Sequence, residues 1–341
     1  MIPASTPARH PGRPSWQREL AGALTDPAEL VRVLGLDPAL VPAALAAAGG
    51  FRLRVPLSYV RRMRHGDPGD PLLRQVLPLG AELSSPPGFV ADPLQEQAAV
   101  KAPGLLQKYH GRALLIATQA CAVHCRYCFR REFPYGEHAG GARLEQALAA
   151  IAADPSLTEV ILSGGDPLAL ADSRLAALTG ALARIPHLQR LRVHTRLPIV
   201  LPARVDPGLT AWLRGLPWPV AVVLHANHAN EIDAEVAAAA GRLRAAGATL
   251  LNQSVLLHGI NDSTAALTEL SVRLFDAGIL PYYLHVLDRV RGTAHFEVPE
   301  QRARALVGEM TARLSGYLVP RLVRESAAAA SKLPLAPLLP A

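Results

Sequence analysis

Cys121, Cys125 and Cys128 are the only cysteines of the chain, and all three lie in the string ATQACAVHCRYCFRREFPY. Three thiolates on one short loop can hold three irons of a 4Fe–4S cluster and leave the fourth iron without a protein ligand. An iron left open in this way can take a small chelating ligand. The same thiolates could instead bind zinc with a fourth ligand from elsewhere. His124 adjoins Cys125 and is poorly placed to close the same tetrahedron, and no second C-x2-C completes a zinc ribbon. Plain burial explains the set least well, because core cysteines rarely gather in a polar, arginine-rich loop. We read the three as cluster ligands, with zinc as the alternative.

Lysine is the second chemical signal. Lys101, Lys108 and Lys332 are the only lysines, so 35 − 3 = 32 of the basic residues are arginine. Where arginine has taken nearly every cationic position, a retained lysine is a candidate for amine chemistry.

Side chains of this kind need a frame. From about residue 111, β-prone apolar runs alternate with helical segments. The predicted strands are 112–118, 159–163, 190–195, 220–225, 249–257 and 280–287. The predicted helices lie near 142–153, 172–185, 207–215, 230–246, 263–277 and 299–315. About six βα units predict a parallel sheet with helices outside, either an open or partial (β/α)6 TIM-like barrel or a doubly wound sheet. In both, chemistry sits at the C-terminal ends of the strands. Cys121, Ser163–Asp166, His194–Arg196, His225 and Asp288 fall at or just past those ends. Residues 1–14 read as a disordered tail and 15–105 as a mostly helical N-terminal region, with helices near 15–24, 26–34 and 37–48. The core is expected over 106–320, followed by a C-terminal segment, 321–341.

Composition sets outer limits. Of 341 residues, 50% are apolar and 18% charged, which suits a large core and excludes general disorder. The net charge of +7 is not gathered into a basic run, so no nucleic-acid partner is expected. Three clustered cysteines cannot form a disulfide framework. The start MIPASTPARHPGRPSW lacks the apolar stretch of a signal peptide, and no run of 18 uncharged apolar residues exists. The expected location is therefore cytoplasmic, with reduced thiols and no membrane span.

C-x3-C-x2-C with Tyr127 before the last cysteine resembles the radical S-adenosylmethionine superfamily. A closer resemblance, to the lysine 2,3-aminomutase family, rests on eight strings in the family's order. They are DPGDPLLRQVLP (67–78), KYHGRALLIATQACAVHCRYCFRR (108–131), VILSGGDPL (160–168), HTRLPIVLP (194–202), LHANHANE (224–231), NQSVLLHGIND (252–262), LPYYLHVLD (280–288) and SGYLVP (315–320). The length is most similar to the subgroup that serves β-lysylation of elongation factor P.

The resemblance implies an isomerase of the radical S-adenosylmethionine type. Its cofactors are the 4Fe–4S cluster, S-adenosylmethionine and pyridoxal phosphate, and its substrate is free L-lysine, converted to β-lysine. It implies that Ser163, Gly164, Gly165 and Asp166 meet the methionine part of S-adenosylmethionine, with Asp166 facing the ammonium and His225 and Gln253 nearby. Lys332 matches the lysine that holds pyridoxal phosphate as a Schiff base, although the segment before it reads ESAAAASKLP where the family is glycine-rich. Arg112 matches a phosphate contact and Arg130 a partner of the substrate carboxylate. Asp288 and Glu325 match the pair that holds the distal ammonium. The implied partners are a flavodoxin-type electron donor, elongation factor P and its lysine-attaching enzyme. An aminomutase for another amino acid, a radical enzyme that has lost pyridoxal phosphate and a non-catalytic zinc protein are the alternatives.

Overall fold

The computed structural model describes residues 15–135, 141–327 and 329–340. The expected tail, 1–14, lies outside the described residues. Among the described residues, ten strands form one sheet in chain order: β1 (Val100–Ala102), β2 (Leu105–Tyr109), β3 (Arg112–Thr118), β4 (Glu159–Gly164), β5 (Arg190–Thr195), β6 (Val220–Leu224), β7 (Ala248–Val255), β8 (Leu280–His285), β9 (Arg321–Arg324) and β10 (Leu333–Pro334). The six predicted strands are β3 to β8, and each pairs in parallel with the next. β9 adds a seventh parallel strand, while β2 and β10 join antiparallel at the two flanks. No pairing joins β1 to β10 among the described residues, so this is an open, partial barrel. The expected boundary at 105/106 falls inside β2, and the C-terminal segment enters the sheet as β9 and β10.

Parallel neighbours need long crossovers, and helices supply them. Among the described residues, α1 (Ser15–Ala21), α2 (Pro27–Val33) and α3 (Val41–Gly50) precede the sheet, with a further single helical turn at Leu57–Val60. The crossover helices are α4 (Gly141–Ala153), α5 (Asp172–Leu182), α6 (Pro207–Arg214), α7 (Ala234–Ala245), α8 (Thr264–Asp276) and α9 (Glu300–Thr311). Their starts are written locally. Asp206, Asp233 and Ser263 each accept a hydrogen bond from a backbone N–H in the first turn of α6, α7 and α8, which satisfies a donor the helix leaves open.

Side chains alternate between the two faces of a strand. Leu115, Leu162, Val193, Val222 and Leu250 lie in register on the face that packs under the helices, against Leu175, Leu209, Val236 and Leu270. The opposite face therefore carries Ser163, His194 and Gln253, with Tyr283 beside Gln253 and His285 beside Val255.

The N-terminal region clasps the cysteine loop. Backbone N–H groups of His124 and Arg126 donate to Arg54 O and Gln75 O, at 2.9 Å each. The fully buried Arg126 donates to both oxygens of Glu82 and to Phe51 O, and Arg131 donates to Glu82 as well. Glu82 thus balances two guanidinium groups in the interior. Removing one partner of such a pair strands the other without water or counter-charge. Glu82→Ala is expected to lower stability by about 3–5 kcal/mol, measured as an earlier denaturant midpoint. An unchanged midpoint would contradict the clasp.

Candidate active site

The cysteine loop leaves β3 and is tied to the turn after β4. Gly165 N donates to Thr118 O at 2.7 Å and Asp166 N to Ala120 O at 2.8 Å. Gly164 has φ +113°, and a Cβ there would lie 2.5 Å from Thr118 O. A Cβ on Gly165 would collide with the Ala120 and Gln119 backbone. Only glycine permits this approach, which leaves bare backbone beside the cysteines, as a ligand site at the fourth iron requires.

All three cysteines are free and half-buried. Burial, reinforced by the neighbouring cysteines, raises the Cys121 thiol well above its ordinary value and pushes Cys128 up to about 11. Such thiols ionise when a metal replaces the proton. No set of three or more His, Cys, Asp or Glu side chains among the described residues converges on one ion position. A four-iron cluster gives each cysteine its own iron, so it does not ask the three sulfurs to meet at one point. Zinc requires every donor at about 2.0–2.3 Å from one centre.

Asp166 requires a correction. Its Oδ1 accepts from Leu168 N and Thr195 Oγ1, and its Oδ2 from Arg196 N and Leu197 N, at 2.7–3.0 Å. All the lone pairs are used inside the protein, so Asp166 locks the ends of β4 and β5 together rather than facing a ligand ammonium. Burial pushes its carboxyl up against these four bonds. Ser163, beside it, is buried and accepts from Arg130 Nη1 at 3.1 Å. His225 stacks on Tyr127, with Nε2 3.0 Å from the phenol oxygen. Burial and Arg196 push this imidazole down to about 3, so it is neutral.

A second group of residues meets around Lys332. β9 and β10 pair Val323 with Pro334 and Arg324 with Leu333. The next positions across this hairpin are Glu325 and Lys332, which explains their spacing of seven. Lys332 Nζ lies 2.5 Å from Glu325 Oε2, and Lys108 Nζ lies 3.3 Å from Glu325 Oε1. Lys108 is also 3.8 Å from Glu96, whose two oxygens hold Arg130 Nε and Nη2 at 2.7 and 2.8 Å. A row of alternating charge therefore runs Lys332–Glu325–Lys108–Glu96–Arg130 and ends on Ser163. Its middle members were not legible as a set in the sequence; Glu96 gave no signal and Lys108 only its rarity. The fork of Arg130 is held by Glu96 through Nε and Nη2. Only Nη1 faces the Ser163 side.

Burial works against the charge of Glu325, but Lys332 and Lys108 overcome it and bring the carboxyl down to about 2. Asp288 is the opposite case: burial, then Glu325, pushes it up to about 7, against Lys332 and Lys108. His285 and His194 are held neutral by burial and by nearby cations including Lys332, and His194 Nε2 is buried without a hydrogen-bond partner among the described residues. An orphaned ring nitrogen near a lysine suits a polar cofactor. Arg112 opens β3 at the end away from the cysteines, with its guanidinium 4.7 Å from the Tyr109 ring centre. The Tyr109 phenol lies in the field of Glu325 and Asp288, so Arg112 borders the site through Tyr109. Asp288, Glu325 and Leu287 line a cavity of about 600 Å³.

Residues 110–188 match the family model described as a 4Fe-4S single cluster domain. The chain is 51% identical to an L-lysine 2,3-aminomutase of Escherichia coli, covering 95% of each chain. It is 46% identical to one of Buchnera aphidicola subsp. Baizongia pistaciae, over 93% of this chain and 94% of that one. It is 32% identical to one of Clostridium subterminale, over 94% of this chain and 78% of that one. Among solved structures, a radical SAM methyltransferase from Sphaerobacter thermophilus aligns with TM-score 0.44 and 22% identity, covering 67% of this chain and 71% of that one. No helix among the described residues is long and apolar enough to cross a membrane.

Gly165→Ala tests the bare-backbone cradle. Its new methyl is expected to displace Ala120 and the adjoining Cys121. Iron and sulfide content after anaerobic reconstitution should fall while far-ultraviolet circular dichroism is unchanged. Full cluster content with undiminished S-adenosylmethionine binding would contradict it.

Proposed function

This chain belongs to the lysine 2,3-aminomutase family, and on that premise we propose that it is the isomerase that moves the α-amino nitrogen of L-lysine to Cβ and gives β-lysine. The observation that carries the choice of substrate is the meeting of Asp288 and Glu325 beside Lys332 on a cavity of about 600 Å³. Two carboxylates favour a side chain that ends in a cation and repel one that ends in a carboxylate. Glutamate is disfavoured on that ground.

When bound, the cluster and S-adenosylmethionine supply a 5′-deoxyadenosyl radical, and pyridoxal phosphate supplies the carbonyl that carries the migrating nitrogen. Cys121, Cys125 and Cys128 would hold three irons, and the Gly164–Gly165 backbone would meet S-adenosylmethionine, with His225 and Gln253 beside it. Lys332 would carry pyridoxal phosphate, and Arg112 would meet its phosphate. Glu325 and Asp288 would supply the two carboxylates that face the distal ammonium of the substrate. Lys108 stays on Glu325 Oε1 and limits repulsion between the two acids. Glu96 fixes the guanidinium plane of Arg130, whose Nη1 meets the substrate carboxylate. His194 and His285, being neutral, add no competing charge. The same premise implies reduction by a low-potential flavodoxin-type donor, a cytoplasmic setting, and delivery of the product to elongation factor P through its lysine-attaching enzyme.

Lys332→Ala is expected to abolish turnover at low pyridoxal phosphate and to remove the absorbance of the protein-bound cofactor; full activity would refute the assignment. Asp288 gives a pH test. Below about pH 7 its carboxyl is protonated in the free enzyme and cannot pair with an ammonium. kcat/KM for L-lysine should therefore rise through about pH 7. Asp288→Asn should flatten that limb and raise KM roughly tenfold or more. An unchanged profile would place the ammonium elsewhere.

A further inference from the structure

Arg196 follows β5 and is 6% exposed. Its Nη1 donates to Cys125 Sγ at 2.7 Å. Its Nη2 donates to Gln75 Oε1 at 2.6 Å, Glu231 Oε2 at 2.9 Å and Tyr59 Oη at 3.1 Å. The backbone N–H of Arg196 is held by Asp166. The guanidinium is thus fixed on several sides, with one arm on a cluster ligand. Arg126 and Arg130 flank the same loop but turn their forks onto Glu82 and Glu96.

Glu231 is fully buried and equally fixed. Its Oε1 accepts from Asn227 N, His228 N and Gln75 Nε2, and its Oε2 from Arg196. Cys125 sulfur, the Arg196 cation and the Glu231 anion form a rigid line in a poorly solvated region.

We propose that Arg196 is a positioning residue that sets the reduction potential of the cluster by donating a charge-assisted hydrogen bond to Cys125, with Glu231 as its opposing weight. The inference rests on the cluster reading above. Reduction moves one electron from a low-potential one-electron donor onto the iron–sulfur core, with no bond made or broken. The core becomes more negative by one charge. A cation and a hydrogen bond at a ligand sulfur stabilise that reduced form and raise the potential. A carboxylate behind the cation acts in the opposite sense, because burial weakens solvent screening.

The test is an anaerobic titration of the reconstituted full-length protein, poised with dithionite and followed by the electron paramagnetic resonance of the reduced cluster. Arg196→Gln is expected to move the midpoint to more negative potential, and Arg196→Lys to move it less. Glu231→Gln is expected to move it to more positive potential. A purely structural role would cost cluster content in both variants without shifts of opposite sign. An unshifted midpoint in Arg196→Gln that retains its iron and sulfide overturns the proposal. So do shifts of the same sign in the Arg196→Gln and Glu231→Gln variants. If Arg196→Gln holds no cluster, Glu231→Gln decides: a positive shift supports the proposal, and a negative or absent one overturns it. Zinc without iron in the unmutated protein would instead overturn the cluster reading.

Discussion

Charges withdrawn from water must meet their opposites, and in this protein that constraint sets the shape of the site. Glu325 is its pivot. One carboxylate at the end of β9 faces the ammoniums of Lys332 and Lys108, and Lys108 passes the compensation to Glu96 and Arg130. The row spans the barrel from its last strands back to Ser163 on β4. Its charges are mutually supported, so a change at one end is felt along it. Glu325 is held by Lys108 as well as by Lys332, so that carboxylate keeps a counter-charge when either ammonium is engaged elsewhere.

The second charged framework holds the other half of the site. The cysteine loop has little regular structure, and its rigidity is borrowed. Residues 51–82 grip its backbone and Arg126, while Asp166 and the two glycines fix its distance from β4. The N-terminal region is therefore part of the cluster site rather than a separate appendage. Gln75 joins both systems: its backbone oxygen receives Arg126 N–H, and its side chain meets Arg196, Glu231 and Asn227.

The barrel was legible because its strands are β-prone runs set apart by helical segments, and β3 and β5 begin and end at the predicted residues. The cysteines stood out because their chemistry is tied to their spacing. Lys332 and Glu325 were singled out by resemblance alone, and the reason for their spacing of seven was not visible. It lies in β9 and β10, of four and two residues, too short for a periodic signal. Asp166 was misread because a carboxylate after two glycines has the same sequence whether it binds a ligand or ties two strand ends. Arg196 was legible only as one of several polar residues at a strand end, and its contact with Cys125 was not. Glu96 sits where Gln95 turns through a left-handed conformation, at φ 48°, and nothing local marks it as the partner of Arg130.

The central claim is that the two frameworks together perform one reaction on one amino acid. It is tested most directly by incubating the reconstituted protein without air, with pyridoxal phosphate, S-adenosylmethionine, a strong reductant and L-lysine. β-Lysine and 5′-deoxyadenosine are then quantified from the same sample. The account predicts β-lysine in large excess over 5′-deoxyadenosine, because the radical is returned after each turnover. 5′-Deoxyadenosine without β-lysine would contradict it, leaving the cluster chemistry in place and removing lysine from the site.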